Sequence, residues 1–166
     1  MIGRRRFSRD RHGYFRTGLD RAERDLLKTL PSQAQLLLEA RDESTRRVFP
    51  VAYPHDAKAD GEYREMMGDH LHDRHRRALE VLATTADSPN LDDEEIHQWL
   101  DALEILRLVL GTQLDISEDG TVADQSDERG PELALYQYLS VLQGEIIDAL
   151  AETLPQGDAR GDPEDP

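Results

Sequence analysis

The chain has 166 residues and no cysteine, and its 20 Lys+Arg against 35 Asp+Glu leave a formal charge of -15. That length fits one domain, and the missing thiols exclude disulfides, thiolate zinc sites, iron–sulfur clusters and thiol redox switches. The acidity repels nucleic acid and anionic membranes over most of the surface. Mean hydropathy is -0.71, and no apolar run reaches the ~18 residues of a membrane span. MIGRRRFSRD lacks the apolar core of a signal peptide, so the expected address is cytoplasmic.

Three segments follow from composition: a basic arm or short hairpin over 1–18, a helical domain over 19–154 and a disordered acidic tail over 155–166. Residues 1–16 hold six arginines and one acid, so the rest of the chain carries -20. In this arm Phe7 and Tyr14–Phe15 flank DRHG, where Gly13 can take positive φ, the pattern of a hairpin. Asp20 and Glu23 stand in capping-box order ahead of an apolar series from Leu26 to Leu38. Pro31 inside that series predicts one kinked helix or two short ones. RVFPVAYPHD cannot be helical, and its Phe49, Val51 and Tyr53 should plug into the core.

A long helix is predicted from Ala57 to Ala86, with Tyr63, Met67, Leu71, Ala78 and Leu82 in one core-facing sector at about 100° per residue. SPN reads as a chain break. A third helix is then capped by Asp92 or Asp93 and ends at Gly111, in the C′ role. LEILRLVLG, apolar almost all round, makes its second half the most buried segment. The fourth helix begins near Pro131. The fold class is therefore all-α, four to five helices in a bundle-like single domain with a short N-terminal arm or hairpin.

Signatures of catalysis are missing: GxSxG, Walker GxxxxGK[ST], GxGxxG and HExxH do not occur. No catalytic residue, cofactor or metal is assigned, and the chain reads as a non-enzyme. HLHDRH (His70, His72, His75), with Glu65 and Asp69, offers ligand types on one helix but no converging ligand from a second element. It reads as a salt-bridging face, with His75 packed and hydrogen-bonded at the apolar rim. DISEDGTVADQS begins like a calcium loop, with Asp115, Ser117, Asp119, Gly120 and Val122 in register. Ser126 holds the place of the bidentate Glu, so a solvated linker is the better reading.

Arg107 lies in the most apolar segment and Arg74 faces the apolar sector of its helix. A buried guanidinium needs partners, which predicts a buried polar network of Arg74, Glu104, Arg107 and Gln143. The candidate nucleic-acid contacts are Arg4, Arg5, Arg6, Arg9 and Arg11, interleaved with aromatics. The competing and favoured reading folds this arm against the chain's own acidic surface.

RVFPVAYP (47–54), WLDALEILRLVLGTQL (99–114), ELALYQYLSVLQ (132–143) and the earlier ERDLLKTL resemble the actinobacterial domain of unknown function two-thousand-seventeen, over roughly residues 5–152. The resemblance implies a cytosolic regulatory protein from a high-GC actinobacterium. Some members of that family are described as oxidation-sensing transcriptional regulators of sulfur and cysteine metabolism, and its genes commonly lie beside that of a Clp protease adaptor. Without cysteine this chain cannot run a thiol sensor. The expected function is regulation through protein–protein contact, with possible self-association as a homodimer. The alternatives are direct DNA binding by the arm and metal binding by the histidine cluster.

Overall fold

The computed structural model describes residues 4–49, 52–117 and 129–152. The tail over 155–166, Val51, and Asp119, Gly120 and Val122 of the acidic loop lie outside them. Four helices form the body: α1 (Arg21–Glu39), α2 (Ala57–Thr85), α3 (Asp93–Gln113) and α4 (Gly130–Ala151). Strands β1 (Phe7–Arg9), β2 (Phe15–Thr17) and β3 (Asn90–Leu91) form a small antiparallel sheet in that order. The helical body matches the expected fold class. The third strand is new: the sequence reads SPN as a plain break, but it leads into β3. There Thr17 N–H donates to Pro89 O at 2.9 Å, and its hydroxyl donates to Ser88 O at 2.6 Å.

Local chemistry explains where the helices start. Asp20 accepts from Glu23 N–H at 2.9 Å and Glu23 accepts from Asp20 N–H at 2.8 Å; Asp92 and Glu95 repeat the box at α3. Each cap satisfies donors that the first turn leaves orphaned. Pro31 sits inside one unbroken α1, where an interior proline costs about 3 kcal/mol. Burial of Leu27, Pro31, Ala34 and Leu38 along one stripe offsets that cost.

Gly111 is not the end of α3. The helix runs two residues further, and Asp115 takes the C′ role with φ of 54°. Asp115 N–H donates to Thr112 O and Ile116 N–H to Gly111 O, the paired bonds of a Schellman motif. Gly111 serves packing instead: a Cβ there would lie 3.2 Å from Tyr136 Cε2 on α4. Its missing side chain lets the two helices approach.

α3 is central and buries Ile96, Trp99, Leu103, Leu106 and Val109. The Trp99 indole N–H donates to Thr85 Oγ1 at 2.8 Å, as a buried indole requires. The hairpin belongs to this core, because Phe7 and Phe15 are fully buried and Phe7 meets Trp99 edge-on at 6.1 Å. Gly13 turns the hairpin with φ of 90°. Phe49 packs against the core as expected, whereas Tyr53 stands half exposed.

α2 departs from expectation along its length. Its buried apolar residues, Ala78, Leu79 and Leu82, all lie in its last third. Tyr63 and Met67, expected in the same core sector, are 43% and 40% exposed. The stripe continues toward the N-terminus, but there it is only partly covered by the described residues.

Candidate functional site

The arginines of the arm divide into two groups. Arg6 donates from Nε to Glu23 at 2.6 Å and from Nη1 to Glu145 at 2.8 Å, and it lies over the Tyr138 ring. Hydrogen bonding to Glu23 and the two negative charges outweigh desolvation and raise its pKa further. Arg5 pairs with Glu152 and donates to Phe7 O at 3.1 Å. These two arginines clip the hairpin to the ends of α1 and α4. Arg4, Arg9 and Arg11 are exposed and form no ion pair among the described residues; Arg9 lies over the Phe15 ring. On the outer face of the sheet, Ser8, Arg16 and Asn90 align across the strands. An open depression of about 410 Å³ covers this row and Arg5.

Three of the four predicted network residues come together between α3 and α4. Arg107 donates from Nε to Ser140 Oγ at 2.9 Å and from Nη1 to Gln143 Oε1, and pairs with Glu104 at 3.4 Å. Gln143 Nε2 donates to Glu104 Oε2 at 2.9 Å, which closes the cluster. The expected burial is only partial: the Arg107 side chain is 27% exposed.

Arg74 does not join. It is 69% exposed and pairs with Asp101 at 3.5 Å, because its long stem carries the charge past the apolar sector into water.

Arg24, for which the sequence gives no signal, is a densely hydrogen-bonded cation. It donates to Leu19 O, Ala86 O, Ser88 O, Thr17 O and Thr17 Oγ1 at 2.7–3.3 Å. One guanidinium thereby joins the hairpin, the entry to α1 and the C-terminal end of α2, whose carbonyls carry the negative end of the helix dipole. No spacing or motif separates Arg24 from its neighbour Arg21, since its partners are backbone carbonyls distant in sequence.

Two of the three clustered histidines, His72 and His75, pack around the Phe49 ring, and His70 is exposed. His72 stacks on Phe49 at 6.5 Å, and His75 tilts against it at 5.3 Å. His75 is packed as predicted, but its buried Nδ1 has no hydrogen-bond partner among the described residues. Burial holds its pKa below the ordinary 6.5; Arg74 and His72 push the same way, and Asp101 opposes them. Among the described residues no three His, Asp or Glu side chains gather as a metal site.

The exposed large apolar residues are unevenly placed. Tyr53, Tyr63, Met66 and Met67 crowd the N-terminal end of α2, where Met66 is 75% exposed and Tyr53 meets Tyr63 edge-on at 6.1 Å. Asp60, buried beneath, accepts the Ala52 and Tyr53 N–H groups and pairs with Arg64 at 3.1 Å. It thereby ties the Tyr53 segment to the helix. A second outward pair, Val141 and Ile147, lies on α4, which has no Lys or Arg.

Fold and surface define a small helical-bundle protein, closed by a β-hairpin, whose conspicuous features are surface patches. The chain belongs to the DUF2017 family, a domain of unknown function whose model matches residues 4–150. Among curated proteins and among solved structures, none matches. No helix of the described residues is long and apolar enough to cross a membrane.

Proposed function

We propose that this chain is a non-enzymatic, cytoplasmic regulatory protein that acts by binding another protein, with transcriptional control as the process it serves. The observation that carries the reading is the end of α2, where Tyr53, Tyr63, Met66 and Met67 expose one apolar patch. A soluble chain that leaves large apolar side chains together in water gains by covering them with a partner. A photo-reactive side chain at position 66, expressed in the native host, tests this. The expected result is one predominant cross-linked protein, lost when Tyr63 and Met67 are changed to Asp. No cross-link, or one unchanged by those substitutions, removes the reading.

A second reading rests on Arg4, Arg9 and Arg11, which face solvent without carboxylate partners in the described residues. It makes the hairpin a nucleic-acid contact. A complex that weakens steeply with salt and disappears on deleting residues 1–11 is its signature. The -20 outside residues 1–16 favours the first reading.

A further inference from the structure

We infer that the N-terminal end of α2 is a docking surface for a basic amphipathic helix of a partner protein. The inference rests on the protein-binding reading above and names the chemistry of the partner. Charge makes the choice. Residues 56–73 carry six acids, Asp56, Asp60, Glu62, Glu65, Asp69 and Asp73, against Lys58 and Arg64. Of these acids, Asp60 is occupied by Arg64 and Asp73 by Arg76. Glu62 and Asp69 make no ion pair among the described residues.

Position on the helix puts charge beside grease. At about 100° per residue, Tyr63, Met66 and Met67 fall within one arc, and Glu62 and Asp69 fall together along one flank of it. Such a surface presents an apolar stripe with an acidic edge. A helix with Leu or Phe on one face and Lys or Arg along the border complements both halves at once. Methionine suits the stripe, since its unbranched side chain adapts to different apolar shapes. The whole chain, at -15, steers a basic partner in the same direction.

A second copy of the chain fits less well, because it would bring acidic borders together.

Binding of three labelled amphipathic helical peptides to the full chain tests the inference. They share one Leu face and differ in their polar face: Lys, Glu or uncharged Gln and Ser. The expected result is binding of the Lys peptide about tenfold or more tighter than the other two. Tyr63→Ser with Met66→Ser should weaken it about tenfold. Glu62→Lys with Asp69→Lys should do the same and reduce its salt dependence. Val141→Ser, on α4, should change nothing, and circular dichroism should show every variant folded.

Equal binding of the Lys peptide by wild type and both double variants overturns the inference, because the attraction is then diffuse. So does preference for the uncharged peptide, or wild-type self-association that the Tyr63 and Met66 changes abolish. A cross-link at position 66 with no Lys-peptide binding sinks this inference and leaves the protein-binding reading standing. Loss of both sinks the two together.

Discussion

At its C-terminal end α2 buries Ala78, Leu79 and Leu82 against the bundle, while further back along the same helix Tyr63, Met66 and Met67 stand in water. Both stretches are helical and both carry apolar residues at helical spacing. The difference lies in what faces them: the first meets the core around Trp99 and receives the clamp of Arg24, and the second meets the Tyr53 segment, which leaves Met66 75% exposed. An amphipathic stripe records that a face is suited to burial. The element that buries it belongs to the rest of the fold, or to another molecule.

The sharpest way to break that contrast is to truncate each end in turn. Leu82→Ala should cost about 2–5 kcal/mol, as buried leucines do, while Met66→Ala should change stability by less than about 0.5 kcal/mol. Chemical denaturation of the two variants measures both values. Comparable losses would mean that the N-terminal stripe is packed in solution.

Arg24 sharpens the picture of the anchored end. Arg24→Ala removes five donor contacts and takes a donor from the Ala86 and Thr17 carbonyls, at an expected cost of about 2–3 kcal/mol. Amide hydrogen exchange should show the loosening at the hairpin and at the end of α2, with the exposed end of α2 unaffected. A uniform change along α2 would contradict a local clamp.

His75 marks the boundary between the two ends and gives a smaller, pH-dependent effect. Its folded pKa lies below the ordinary 6.5 because burial penalises the imidazolium, with Arg74 and His72 adding repulsion against the opposing pull of Asp101. The unfolded chain therefore binds a proton here at higher pH than the folded one does. Stability should be fully present above about pH 6.5 and should fall as the pH drops from there through the lowered folded value. His75→Leu should remove part of that fall. A melting temperature with the same pH slope in both proteins would refute the assignment.

Arg74→Ala should do least. Its exposed pair with Asp101 is worth about 0–1 kcal/mol, so the melting temperature should barely move. A loss of several kcal/mol would restore the buried network that the sequence predicts and the structure replaces with a surface pair.

Local chemistry made much of this chain legible from sequence alone. Asp20 with Glu23 and Asp92 with Glu95 are short-range capping patterns, and Gly13 between aromatic flanks is a short-range turn. The family follows from segments of the chain, and the grouping of Glu104, Arg107 and Gln143 from helical facing. Other features depended on elements distant in sequence. Gly111 reads as a helix end until Tyr136 is seen against it, and SPN reads as a break until Thr17 is found bonded across it. Tyr63 and Met67 occupy a core sector by angle, but exposure depends on whether another surface is present. Periodicity and capping arise from hydrogen bonds a few residues apart, so the sequence itself determined them; burial and the partners of Arg24 and Arg74 arise from contacts between distant segments, which only the tertiary structure decided.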